Sequence, residues 1–188
     1  DRRGSNERWN ASGPRLTNQH NVFGDLSIAE ALTVTKVARI IVVDGGKYTA
    51  DDTGIQAAIN DLPNNGGEVF LPDGSYNITA AIDINGDNIT LRGAGRGTVL
   101  DASGNGVNVI EATAQTGLLI RHLRVIGDTL DAIEWDNVDN SRIESVWVES
   151  ATDDGIVLTN DSDNNVIAGN TITGNGGDGI DIAAGCDN

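Results

Sequence analysis

The chain has little of what most globular domains rely on. Among 188 residues there is no methionine, and Cys186 is the one cysteine. A single cysteine excludes an internal disulfide framework, and Cys186 reads as a small apolar residue. Aromatic residues make up only 4%, and there are two lysines against ten arginines. Long apolar runs are missing too. A membrane-spanning helix needs about 20 apolar residues, and Val37 to Val43 falls far short, which predicts no membrane insertion. No excess of basic charge exists: the net charge is −16 and the pI about 4.2. That balance argues against nucleic acid as a partner. The chain has neither an initiating methionine nor a secretory leader, which predicts processing or a longer parent.

The acidic residues are unevenly chosen. Aspartate occurs 21 times and glutamate 7 times. A surface rich in Asp and poor in Lys predicts a halophilic protein, because molar salt screens the self-repulsion such charge creates. The plainer alternative is an acidic extracellular β-protein.

A repeat of about two dozen residues runs from near Asn105 onward. Asp131-Ala132-Ile133, Asp154-Gly155-Ile156 and Asp178-Gly179-Ile180 are 23 and 24 residues apart. Gly117-x-x-Ile120, Asn140-x-x-Ile143 and Asn164-x-x-Ile167 keep the same interval, as do Val125, Val148 and Ile172. A fixed period of this length means a solenoid whose units bury their apolar faces against their neighbours. Within each unit the apolar residues alternate, as in Ile133-Glu134-Trp135, Ile180-Asp181-Ile182 and Val146-Trp147-Val148. Period two means short strands. Gly, Asn, Asp and Ser crowd between them, as turns with positive φ require. No helix-length amphipathic segment recurs, so helical and leucine-rich repeats fit worse. The reading is an all-β parallel β-helix with coils about 4.8 Å apart. Its inward columns are expected to be Val107, Ile133, Ile156, Ile180 and Val109, Trp135, Leu158, Ile182. Asn108, Glu134, Val157 and Asp181 are expected to share an outward column. Asn170 is read as a structural turn amide rather than a ligand-binding one.

The preceding segment reads as a cap. Thr53 and Gln56 form a capping-box pattern. Ile55, Ala58, Ile59 and Leu62 follow at helical spacing, and Pro63 and Gly66-Gly67 end the run. This predicts one helix at about residues 53–62, lying over the open first coil. Glu68 to Leu71 and Ser75 to Ile78, around Pro72-Asp73-Gly74, read as a strand pair, with coils from about residue 68.

Asp51-Asp52-Thr53-Gly54-Ile55-Gln56-Ala57-Ala58-Ile59-Asn60, Gly66 to Tyr76, and Ile89-Thr90-Leu91-Arg92-Gly93-Ala94-Gly95 resemble the opening of pectate-lyase-superfamily right-handed β-helix proteins. The likeness covers about residues 37–101, and the later repeats look like generic coils of that superfamily. It implies a right-handed parallel β-helix with an affinity for polysaccharide-rich surfaces. Such proteins include pectin-degrading enzymes, phage tailspikes and fibres, and surface proteins. Fold alone does not decide among them.

Residues 1–36 read as an attachment arm and residues 37–188 as the β-helix. Arg2, Arg3, Arg8 and Arg15 stand among Asn, Ser, Gly and Pro, with Trp9 as an anchor. This composition predicts an extended arm that orders on an acidic partner, a neighbouring copy included. The last repeat stops one strand into a coil, which predicts an incomplete C-terminus or a longer fibre.

Catalytic chemistry has thin support. Glu134 and Asp181, two coils apart, would stand about 9.6 Å from each other, at the edge of the spacing used by inverting glycosidases. Asp153-Asp154 resembles the paired aspartates of β-helix pectin hydrolases, but the Gly-His-Gly and Arg-x-Lys segments of that family are missing. The histidines are His20, in the arm, and His122. A lyase would need a base opposite a calcium-binding acid cluster, and Arg121, Arg124 and Arg142 have no evident cluster to face. Glu134, Asp154 and Asp181 are therefore the catalytic candidates, with aspartate turns as the simpler reading. Gly93-Ala94-Gly95-Arg96-Gly97 lacks the following helix of a phosphate loop. Asp161-Ser162-Asp163-Asn164-Asn165 could hold Ca2+ but lacks the Gly and distal Glu of a helix-loop-helix site. Asn10, Asn77, Asn88 and Asn160 head glycosylation patterns. Trp147 is expected to point outward, as a carbohydrate-stacking platform or, preferably, a subunit contact.

Two functions follow as expectations. The favoured one is a structural or adhesion protein of a virus particle: a fibre, spike or turret component on the virion surface or outside the cell. It would be a homotrimer, dock other virion proteins through the arm, and present its β-helix to host surface polysaccharide or glycoprotein. The other is a secreted polysaccharide lyase or glycoside hydrolase.

Overall fold

A computed structural model describes residues 40–128 and 130–187. The arm residues Arg2, Arg3, Arg8, Trp9, Arg15 and His20 and the Asn10 pattern lie outside them. The described chain begins with strand β1 (Ile40–Val42) and helix α1 (Asp52–Asn60). Five coils of three strands follow. They are β2 (Gly67–Leu71), β3 (Gly74–Asn77), β4 (Ile82–Asp83); β5 (Ile89–Gly93), β6 (Thr98–Asp101), β7 (Ile110–Thr113); β8 (Leu119–Arg121), β9 (Arg124–Ile126), β10 (Ile133–Asp136); β11 (Arg142–Glu144), β12 (Trp147–Glu149), β13 (Ile156–Thr159); and β14 (Val166–Ala168), β15 (Thr171–Thr173), β16 (Ile180–Ile182).

Each strand pairs in parallel with the equivalent strand of the next coil, giving three sheets. The first sheet runs β1-β2-β5-β8-β11-β14, the second β3-β6-β9-β12-β15, the third β4-β7-β10-β13-β16. The chain is an all-β parallel solenoid with one short helix. Among the described residues no helix is long and apolar enough to cross a membrane.

The sequence columns are physical stacks. Val69, Leu91, Ile120, Ile143 and Ile167 stand in register in the first sheet. Leu100, Val125, Val148 and Ile172 do so in the second. In the third, Ile110, Ile133, Ile156 and Ile180 align, with Ala112, Trp135, Leu158 and Ile182 beside them. Two expectations about this column are corrected. Ile110 and Ala112, not Val107 and Val109, continue it, and Glu111, not Asn108, sits outward beneath Glu134. Both valines are still apolar neighbours of the core. Alternation alone does not distinguish two valid strand registers three residues apart. The Trp135 indole above the small Ala112 fills the interior without overpacking.

The Gly/Asn column before the first-sheet strands has a backbone cause. Gly66, Asn88, Gly117, Asn140 and Asn164 all have φ between 49° and 86°, the left-handed region that Gly and Asn tolerate best. At Gly66 it leads the chain from α1 into the first sheet, and at the other four positions it turns the chain out of the third sheet into the first.

Two further corrections concern the base. The residues around Pro72-Asp73 do not form a strand pair. β2 and β3 lie in different sheets, and each bonds to the coil above. The helix spans Asp52–Asn60 rather than about 53–62, and its cap is Asp51, whose Oδ1 accepts from the Gly54 amide at 2.9 Å. Thr53 is therefore inside the helix. Gln56 does not close a capping box. Its amide donates to the Asp83 carbonyl and accepts from the Asp83 N–H, both at 2.9 Å, so the helix side chain completes β4. Ile55, Ala58 and Ile59 are buried in the core.

Candidate functional site

The outer face of the third sheet collects the carboxylates. Asp83, Glu111, Glu134, Val157 and Asp181 form one column over five coils. Glu134 and Asp181 are two coils apart, as the repeat requires, with Val157 between them. Glu134 accepts a 2.6 Å hydrogen bond from Asn108 Nδ2. The Glu111 carboxyl is pushed above its ordinary value, first by burial and then by Asp83 and Glu134.

The turns that enter this sheet use aspartate as a coil-to-coil strut. Asp131 Oδ1 accepts from the Asp154 N–H at 2.9 Å, and Asp154 Oδ1 accepts from the Asp178 N–H. A second ladder joins Asp139 to the Asp163 N–H and Asp163 to the Asp187 N–H, at 2.9 and 2.7 Å. Amides do the same work. Asn170 accepts from Val146 N and donates to Ile143 O, each at 2.9 Å. Asn170 and the aspartate turns thus hold backbone groups that no strand pairs, as the turn reading expects.

Asp131, Asp153 and Asp154 bring one carboxylate oxygen each within 4.8 Å of one another. Burial, and then Asp153, Asp154 and Asp181, raise the Asp131 carboxyl above its ordinary value. Hard oxygens of this kind suit Ca2+, which takes six to eight ligands at about 2.3–2.6 Å. Three carboxylates, two already engaged by backbone N–H groups, supply a minority of that shell. The Asp161–Asn165 segment is a polar turn. Ser162 is buried and donates to the Thr159 carbonyl at 2.7 Å, while Asp163 serves the second ladder.

The arginines stand elsewhere. Arg121 and Arg142 belong to the first sheet and Arg124 to the second, off the third-sheet strands that carry Glu134 and Asp181. His122, with φ 54°, is the corner between β8 and β9. Gly93 to Gly97 is the turn between β5 and β6. A Cβ on Gly93 would lie 2.3 Å from the His122 carbonyl oxygen, so glycine there serves coil stacking.

The second sheet carries a different surface. Trp147 points outward and is partly exposed, in register above Arg124 and below Thr171. The Arg96 guanidinium lies 5.8 Å from its ring centroid. Arg124 Nε donates to Glu149 Oε1. That bond holds the Glu149 carboxyl below its ordinary value. Asp101 stands two coils below Glu149 in the same column. Indole, guanidinium and carboxylate groups thus share one flat face. The indole offers an apolar plane and the charged groups offer fixed hydrogen-bonding partners. The outward Trp147 was legible from alternation. Arg96, arriving from a turn, was not.

No family model and no curated protein matches the chain. Solved structures do match in shape. An alginate lyase from Paenibacillus sp. str. FPU-7 aligns with a TM-score of 0.59 and 18% identity, over 79% of this chain and 59% of its own. ORF18 of Geobacillus virus E2 gives 0.53 and 20%, over 78% and 39%. The catalytic domain of a GH87 α-1,3-glucanase, in complex with tetrasaccharides, gives 0.54 and 18%, over 73% and 30%. The chain spans from under a third to about three fifths of these proteins. At such identity the likeness is one of fold, and that fold is the parallel β-helix.

Proposed function

We propose that this chain is a glycan-contacting, non-catalytic β-helix of a virion surface component, a fibre, spike or turret, with relatives in the pectate-lyase superfamily. The observation that carries this reading is Trp147, outward on a rigid sheet beside Arg96, Arg124 and Glu149. A sugar ring stacks its C–H face on an indole while its hydroxyls bond the flanking charged groups. The carboxylates of the third sheet are spent differently. Asp131 and Asp154 strut the coils, and Glu134 and Asp181 stand two coils apart with no basic side chain on the strands of that sheet. In this reading Arg2, Arg3, Arg8, Trp9 and Arg15 dock the protein to other virion proteins, copies assemble as a trimer, and the glycan belongs to the host surface. The fold is compatible with such a role, since one structural neighbour is a virus protein.

One observation favours the alternative, a secreted polysaccharide lyase or hydrolase. Glu111, its carboxyl raised by burial and by acidic neighbours, stands beside Glu134 on the next coil, and a carboxyl raised in this way can serve as a general acid. A titration decides between the two. Oligosaccharides of surface polysaccharides should change tryptophan emission and be recovered intact, and Trp147→Ala should weaken binding by more than about tenfold. Binding unaffected by that substitution overturns the stacking site. Release of reducing ends, or new absorbance from unsaturated products, that is lost in Glu111→Gln establishes the enzyme.

A further inference from the structure

The outer face of the first sheet is unlike the rest of this acidic molecule. One column reads Val42, Phe70, Arg92, Arg121, Glu144, Ala168, and the other Ile40, Glu68, Thr90, Leu119, Arg142, Val166. Three arginines stand here against two glutamates, on a chain of net charge −16. Ile40 and Val42 are 58% and 41% exposed, although they lie on a paired strand. Arg92 is occupied: it bonds Glu68 Oε1 through Nε and Nη2 at 2.9 and 2.6 Å and stacks on Phe70 at 4.1 Å. Arg121 and Arg142 are held more loosely, with Arg121 Nη2 3.9 Å from Glu68 Oε2 and Arg142 Nε 3.4 Å from Glu144 Oε2. Aliphatic side chains, an aromatic ring and loosely paired arginines are the composition of a protein-binding face.

The third sheet offers the complement. Its strands carry Asp83, Glu111, Glu134, Asp136 and Asp181 and no basic residue. Arg92, Arg121 and Arg142 lie on three consecutive coils, and so do Asp83, Glu111 and Glu134. Both series repeat at the coil spacing of about 4.8 Å. Two copies lying side by side therefore keep their charges in phase from coil to coil, which a partner without this period does not do.

We infer that the first-sheet face of one copy docks on the third-sheet face of a second copy. The contact is heterologous, so it closes into a ring or continues as an array. It brings cations to Glu111 and Glu134, which repel each other in the single chain. It leaves the second sheet, with Trp147, uncovered.

The test uses the full chain at about 0.15 M salt, where ion pairs at a partly buried face are not fully screened. By light scattering or sedimentation, mass should rise with concentration. Arg121→Glu and Glu134→Arg should each weaken association by more than about tenfold, because like charges then face each other. A one-to-one mixture of the two variants should associate again, since the unaltered third sheet of one variant meets the unaltered first sheet of the other, and the two reversed faces complement each other as well. Circular dichroism checks folding, and Arg121→Gln with Glu134→Gln gives a milder pair. A chain that stays monomeric overturns the inference. So do single variants that associate like the original, or a mixture that does not recover. Glycan titration on the same variants keeps this outcome separate from that of Trp147.

Discussion

Glu111 shows how one side chain can oppose the fold it belongs to. Its carboxyl lies above the ordinary value of 4.5 because burial and the carboxylates of Asp83 and Glu134 disfavour its charge. The folded chain therefore holds a proton that the unfolded chain has released. By linkage, stability falls as pH rises from the unfolded value through the folded-state value, and the penalty is fully present above the latter. Glu111→Gln should flatten the loss of stability as pH rises from 4.5 and raise Tm at the alkaline end of the series; calorimetry over pH measures both. Glu149 acts in the opposite sense, since its bond to Arg124 lowers its carboxyl. That contribution is present above the unfolded value and is lost as acid protonates the folded form. Glu111 was not legible in the sequence. Val107-Asn108-Val109 and Ile110-Glu111-Ala112 both alternate, and only coil-to-coil pairing with Ile133-Glu134-Trp135 selects the second.

At the level of elements, the coils were legible where three columns advance together, from Gly117 to Ile182. There the left-handed Gly/Asn corners and the apolar stacks repeat without interruption. The base was harder to read. Pro72-Asp73 looks like a hairpin turn, yet the partners of β2 and β3 lie in the next coil, beyond the reach of any local pattern. Helix α1 was visible from its spacing, but its tie to β4 was not: Gln56 supplies both an acceptor and a donor to the Asp83 backbone. Gln56→Ala leaves that N–H and carbonyl unpaired under the helix. The expected cost is about 1–3 kcal/mol, read as a lower urea midpoint with unchanged slope. An unaltered midpoint would show that water replaces the side chain there.

For the whole molecule, charge sets the working conditions. A net charge of −16, with carboxylates stacked coil above coil, makes self-repulsion a general term in stability. Salt shortens the screening length from about 10 Å at 0.1 M to about 3 Å at 1 M, less than the coil spacing. Tm should therefore climb steeply through molar KCl or NaCl, and a flat response would separate this acidity from halophilic life. The strand pairing has a different consequence. Each coil makes its ladder bonds only to the coils above and below. Duplicating one repeat in the gene would thus lengthen the rod by a single step of about 4.8 Å while every older contact stays as it was. Reach can be adjusted by copying, with no new interior to invent.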